Sequence, residues 1–233
     1  MNKHEFRVGI EVGGTFTDLV ASDGYQIKTA KVPSTPSKPD EGAMNAIRAA
    51  ELDISQIKEL VHGSTVATNA VLERKGGRVC LFVTKGTRDI LLLQRHDRRS
   101  IYDLHYKKPE PVVARHDTYE IKERISPDGS IVFAIDEDHA REQIKTALRD
   151  GRFDSAAICF LHSYTNSRHE RLLKELIQQE FPSLPITCSC DVTREFREYE
   201  RASRTTLAAY VQPVIAGYIK RFSASLAKQG FKG

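Results

Sequence analysis

No apolar run in these 233 residues approaches the roughly 20 residues needed to span a bilayer, so no membrane helix is expected. The start, Met1 to Arg7, is polar and leads directly into a strand-like alternation, which is not the pattern of a signal peptide. Basic stripes interleaved with aromatics are missing, and a net charge of +4 is too mild to suggest a nucleic-acid partner. Cysteine is sparse: Cys80, Cys159, Cys188 and Cys190. Four would permit two disulfides or a metal site, but most lie in apolar strand-like runs, which fits free thiols and a cytoplasmic location better. Cys188 and Cys190 are spaced to share one strand face, yet no second Cys or His pair at zinc-finger spacing answers them. His4, His96, His105, His116, His139 and His169 show no mutual metal spacing either and read as surface or loop residues. The densest basic run, Arg95 to Arg99, reads as a solvated loop. What is present is ordinary for a soluble enzyme: 40% hydrophobic and 28% charged residues. A chain of this length buries roughly 70% of its unfolded surface, as one large or two small domains.

The most informative stretch runs from Arg7 to Val20. Val8, Ile10 and Val12 alternate with Gly9 and Glu11, and Phe16, Leu19 and Val20 resume the apolar pattern after Gly13-Gly14, as in two strands joined by a tight turn. Glycines in such a turn let backbone N–H groups approach an anion without interference from Cβ. A bare Gly-Gly pair is a common hairpin turn, but here Glu11 precedes it, and Thr15, Thr17 and Asp18 follow. Those residues gather phosphate donors and acceptors for metal-bound water. Magnesium keeps most of its waters and needs only one or two carboxylates, so Glu11 and Asp18 would suffice. The stretch is not a P-loop, which requires a Lys after the glycines and a helix behind it.

The string Gly9 to Val20 resembles the first phosphate-binding element of the actin, Hsp70 and sugar-kinase superfamily of ATPases. Its Gly13-Gly14-Thr15-Phe16-Thr17-Asp18 form resembles one branch, the hydantoinase A, 5-oxoprolinase and acetone carboxylase β-subunit family. His62 to Gly76 and Glu195 to Ser203 match the same branch in the expected order. The family usually has Asp where this chain has Glu11, the same charge on a longer arm. The resemblance implies an α/β fold: a ribonuclease-H-like half with a mixed sheet opened by a β-hairpin, then a further α/β layer and a C-terminal helix. It implies an N-terminal hydantoinase/oxoprolinase domain over residues 6–190, with room for a subdivision near 95–136, and the mainly helical start of a following hydantoinase A domain over 191–233. It also implies ATP and Mg²⁺ as cofactors and a cyclic amide substrate such as a hydantoin or 5-oxoproline. ATP would phosphorylate the amide oxygen so that water opens the ring, with a hydantoinase B-like subunit or domain as partner. Glu11 and Asp18 would hold the metal through water and serve catalysis, while Gly13, Gly14, Thr15 and Thr17 would hold phosphate oxygens. Thr65, Thr68 and Asn69 are candidates for lining the cleft.

The superfamily closes a nucleotide between two similar halves, and the second half brings another phosphate loop and an adenosine-binding glycine motif. Beyond residue 130 the glycines are Gly151, Gly217, Gly230 and Gly233, none paired. The chain therefore resembles the amino-terminal portion of such an enzyme and is expected to have little ATPase activity alone. Three alternatives fit parts of the pattern: a sugar or small-metabolite kinase, a subunit of an ATP-dependent ketone carboxylase, and a non-catalytic binding module.

Elsewhere strand and helix signals alternate. A third strand is expected over Tyr25 to Val32, and a helix capped by Asp40 over 40–51. Ser64 or Thr65 would start a helix that Gly76 terminates, its N–H groups forming an anion site. Lys85 and Arg88 are basic residues near a helix start, and His162 ends a strand at the edge where α/β sites gather. Strands flank the turn Ser126 to Ser130, Asp136 caps a helix over Glu137 to Leu148, and a buried strand and a helix follow. These units argue for parallel strand pairs, either continuing the first layer or forming a second. The charges from Arg194 to Arg201 read as a salt-bridged helix face, with Arg197, Glu198 or Arg201 available for a contact. Pro213 falls within the last helix and would kink it.

Overall fold

A computed structural model of the protein describes residues 5–97 and 100–233. The chain divides into two compact units, one formed by residues up to Lys75 together with Val214–Gly233, the other by Gly76–Pro213.

In the first unit, strands β1 (Phe6–Val12), β2 (Phe16–Ser22) and β3 (Ile27–Pro33) form the expected meander. Helix α1 (Pro39–Ala49) follows, and β4 (Ile57–Ser64) then pairs parallel to β1, giving a mixed sheet of order β3-β2-β1-β4. Strict alternation puts Phe6, Val8, Ile10 and Val12 on one face, where they pack with Met44 and Ile47 of α1 and with Tyr218, Phe222 and Leu226. Each such side chain contributes roughly 1.5–3 kcal/mol on burial. The opposite face, with Gly9, Glu11, Asp18, Val20 and Val61, is exposed. Two local expectations are corrected. Asp40 does not cap α1: Lys38 is the N-cap and Pro39 takes the first helical position, which its fixed φ and missing N–H suit. Asp40 lies in the first turn instead, accepting from Arg221 Nε at 3.0 Å. Helix α2 (Val66–Leu72) ends before Gly76, because Arg74 adopts φ +56° and the Lys75 N–H returns to the Ala70 carbonyl, a Schellman-type closure.

The second unit is built on a wholly parallel sheet. Strands β5 (Val79–Thr84), β6 (Thr118–Ile121), β9 (Ser155–Cys159) and β10 (Ile186–Cys188) lie in the order β10-β9-β5-β6. The short helix α3 (Ile90–Leu93) falls between β5 and β6, and the hairpin β7 (Arg124–Ile125) and β8 (Ile131–Phe133) follows β6. Its Pro127-Asp128-Gly129 turn places Gly129 at φ +87°. Helix α4 (Glu137–Leu148) is capped as expected, Asp136 Oδ1 accepting from the His139 N–H at 3.2 Å. Helix α5 (Arg168–Glu180) packs Leu173, Leu176 and Ile177 into the core. Strands β5 and β9 are buried along their whole length, which is why both read as continuous apolar runs rather than alternations. The second α/β layer is thus a separate sheet. Gly76 is required here for close packing, since a Cβ would overlap the Tyr210 ring.

Cys188 and Cys190 do not share a strand face: β10 stops at Cys188 and α6 (Ser189–Val192) begins at once. All four cysteines are buried free thiols. His169 is a further correction, for it is buried on α5 with Nδ1 2.7 Å from a Glu123 carboxylate oxygen. The last helix, α7 (Glu198–Lys228), contributes residues to both units. Its charged start is only partly a solvated face. Glu200 pairs with Arg95 at 2.7 Å and Arg204 with Glu195, but Arg201 is completely buried. His4, Arg98 and Arg99 lie outside the described residues. Among the described residues no helix is long and apolar enough to cross a membrane.

Candidate functional site

The Gly13–Thr15 turn closes with the Gly13 N–H donating to the Phe16 carbonyl at 3.0 Å, and a Cβ at position 13 would meet that same oxygen at 2.9 Å. Glycine is the residue that permits this approach. The Thr15 carbonyl accepts from the Ser34 N–H at 2.8 Å, and Thr15 itself is exposed. Thr17 falls on the core face: it is buried, and its hydroxyl lies 2.9 Å from Ser34 Oγ.

The second matched segment is bound directly to this turn. The Thr65 N–H donates to the Val12 carbonyl at 3.1 Å, and the Thr65 hydroxyl reaches the same oxygen at 3.4 Å. Asn69 Nδ2 donates to Thr65 Oγ1 at 3.4 Å and stands 3.4 Å from where a Gly14 Cβ would be, so the amide covers the second glycine. Thr68 is exposed. Ser64 Oγ accepts from the Val66 N–H at 3.1 Å. A cavity of about 640 Å³ opens here, bordered by Gly13, Gly14, Ser34, Thr35, Ser37 and Asn69, a size typical of small-molecule sites. Glu73 and Lys75, themselves paired at 2.6 Å, also border it. The hydroxyl-rich Ser34-Thr35-Pro36-Ser37 loop is not among the residues that the sequence singles out. The signal available was three hydroxyls in four residues just before a helix.

Glu11 and Asp18 face each other directly across the β1/β2 ladder, one residue pair from the turn and on the exposed face. Opposed like charges on neighbouring strands repel. Lys31, opposite Asp18 on β3, relieves part of this through a 2.8 Å ion pair. Glu11 lies over the backbone of Gly63, its parallel partner on β4, where a Cβ would overlap Oε2. Among the described residues no group of three or more His, Cys, Asp or Glu side chains converges. Two opposed carboxylates with open solvent beside them nonetheless suit magnesium, which retains its water shell. His62 turns to the other face: Nε2 bonds the Tyr218 hydroxyl, and the ring packs against Phe222 at 5.3 Å between centroids. Burial holds His62 below its ordinary pKa against the pull of the Glu11 charge, and pushes Tyr218 up to about 12.

In the second unit, Arg88 Nε donates to the Arg115 carbonyl at 3.2 Å, and the Lys85 N–H to the Ile121 carbonyl at 2.9 Å. His162 adopts φ +57° just past β9, with Nδ1 3.2 Å from the Tyr164 hydroxyl. These residues belong to a different unit from the hairpin.

Comparison with known proteins follows the same lines. Residues 7–181 match the hydantoinase/oxoprolinase N-terminal region family. An uncharacterized protein of Methanocaldococcus jannaschii is 38% identical over 233 residues, covering 98% of this chain and 34% of that protein. Caprolactamase subunit alpha of Pseudomonas jessenii is 31% identical over 241 residues, covering 99% and 34%. The crystal structure of the ATP-dependent caprolactamase from that organism superposes with a TM-score of 0.85 at 30% identity, over 97% of this chain and 34% of that one. The 5-oxoprolinase of Saccharomyces cerevisiae is 32% identical over 273 residues, covering 97% and 21%. The chain thus spans about a third of the length of the first two relatives and about a fifth of the yeast enzyme.

Proposed function

Because the chain belongs to the hydantoinase/oxoprolinase family by its N-terminal region, we propose that it supplies the first phosphate-binding element of an ATP-dependent cyclic-amide hydrolase. The observation that carries this reading is the Gly13-Gly14 turn, open to a cavity of about 640 Å³, with Glu11 and Asp18 opposed one residue pair away. The turn's glycines and Thr15 offer N–H and hydroxyl donors to phosphate oxygens, a set that preorganised loops use to stabilise transferring phosphoryl groups. Thr17 acts one step back, holding Ser34 beside the turn through its buried hydroxyl. Glu11 and Asp18 would hold Mg²⁺ through water, and the bound ion would neutralise phosphate charge. Asn69 and Thr65 fix the second glycine and the end of β1, so they position the turn, while the exposed Thr68 is available to a ligand.

Relatives named caprolactamase and 5-oxoprolinase support a lactam or other cyclic amide, such as a hydantoin or 5-oxoproline, as the substrate class, with water attacking its activated carbonyl. Residues 6–190 form the N-terminal family domain and 191–233 begin the following hydantoinase A domain. A hydantoinase B-like subunit or domain completes the enzyme, in keeping with a relative named as an alpha subunit. The protein works in the cytoplasm, which fits its four free thiols.

The test is turnover by the complete protein with its partner, following ADP release and ring opening together. Cyclic-amide-dependent ADP release with an opened product is expected, and a phosphorylated product with the ring intact would place the protein among kinases instead. Asp18→Asn should lower kcat/KM by about 100-fold or more, the cost of removing one preorganised charge from such a site.

A further inference from the structure

One row of residues crosses the exposed face of the first unit's sheet. Lys31 on β3 is the register partner of Asp18 on β2, Asp18 of Glu11 on β1, and Glu11 of Gly63 on β4. Strand β1 therefore has Asp18 on one flank and Gly63 on the other. The two carboxylates lean toward opposite ends of this row. Asp18 is held on the β3 side by Lys31 Nζ at 2.8 Å. Glu11 reaches the other way, over β4: a Cβ built at position 63 would overlap its Oε2 and stand 3.1 Å from its Cδ.

Nothing in the backbone of β4 calls for a glycine at this place. Gly63 lies inside the strand Ile57–Ser64 rather than at a turn, and it is not among the glycines with positive φ. Glycine within a strand weakens it, and such a residue often marks the close approach of another group. The group that approaches here is the Glu11 carboxylate. A side chain at 63 would close that flank and turn the Glu11 arm toward Asp18 or out into solvent. Opposed carboxylates on neighbouring strands repel, so the first of these poses costs stability and the second disperses the pair. Separation also suits the cation: an ion that keeps its water shell stands farther from each carboxylate than one bound directly at about 2.0–2.1 Å.

We infer that Gly63 is a positioning residue for Glu11. Its missing side chain is the seat that holds the Glu11 carboxylate off Asp18, so that the two are open to one divalent cation taken through water. This role rests on the magnesium reading given above.

The test titrates Mn²⁺, a paramagnetic substitute for magnesium, into the complete protein with a non-hydrolysable ATP analogue, read by EPR against the same mixture without protein. Gly63→Ala should weaken Mn²⁺ binding by about 10-fold, the size found for groups that orient a metal's ligands. The unfolding midpoint should be no lower, because alanine suits a strand interior at least as well as glycine. In the Glu11→Asp background the shorter arm does not reach position 63, and adding Gly63→Ala should change the affinity by less than about 2-fold, a non-additivity that isolates the contact. Equal losses in both backgrounds, or an affinity untouched by Gly63→Ala, would overturn the positioning role and leave the magnesium reading standing. No Mn²⁺ bound by the unaltered protein would overturn the magnesium reading, and the positioning role with it. Should Gly63→Ala fail to fold, recovery of folding in the Glu11→Asp background supports the contact, and failure in both counts against it.

Discussion

Ser155 replaces a donor that the backbone cannot supply. Pro213 has no N–H, so the carbonyl four residues earlier, on Ala209, loses its helical partner. The buried Ser155 hydroxyl donates to that oxygen at 2.8 Å. Ser155→Ala should therefore destabilise the protein by about 1–3 kcal/mol, the cost of an unpaired buried carbonyl, measured as a lower denaturant midpoint at unchanged slope. His62 provides a pH signature. Its folded pKa lies below the ordinary value, so between the two the unfolded chain binds more protons than the native one. Stability from this group is complete above about pH 6.5 and falls as the pH drops through that value, by at most ~1.4 kcal/mol per pH unit. His62→Gln should flatten that part of the stability profile; an unchanged slope would assign it to other groups. Single residues were the least legible level of this sequence. Arg201 sits among charges spaced like a solvated helix face, and His169 heads an amphipathic helix, yet both are buried. What decides their burial is tertiary pairing, with Phe160, Ser163 and Ser189 for one and Glu123 for the other, and no local pattern encodes it.

Elements were far more legible, because periodicity and caps are local. The glycine-containing hairpin, the meander, the buried strands and α4 lie where alternation, turn chemistry and an Asp cap place them. Asp136→Ala should cost about 1 kcal/mol through loss of that cap, read from thermal or chemical unfolding. Two caps went the other way for specific reasons. At α1, Pro39 claims the first helical position, which moves Asp40 into the first turn. At α2, Arg74 takes the left-handed conformation itself, and the nearby glycine answers instead to the Tyr210 ring. At the hairpin, the glycines and their flanking carboxylates were visible as a motif. The Ser34–Ser37 loop that borders the same cavity was not, because its approach to Gly13 and Gly14 depends on strand pairing.

For the whole molecule, the number of layers was legible and their division was not. Strand and helix alternation is equally compatible with one extended sheet or two, and only the pairing of β1 with β4 and of β5 with β9 separates them. The purified chain should show little or no Mg²⁺-dependent phosphate release, because the paired glycines of a second phosphate loop have no counterpart after residue 130. Robust turnover by the chain alone would contradict this.

The first unit is discontinuous in sequence, and this sets an order of events during synthesis. Its core closes on Tyr218, Phe222 and Leu226, and the contact of Tyr218 with His62 spans 156 residues. Contacts so distant carry the loop-closure entropy that slows folding, whereas every residue of the second unit is available once Pro213 clears the exit tunnel. On a ribosome the later-encoded unit can thus mature first, while β1 to β4 wait, part-covered, for the last stretch of helix. Nascent chains stalled with Pro213 just clear of the exit tunnel should resist protease over 76–213 and remain cleavable within the hairpin that carries Gly13 and Gly14.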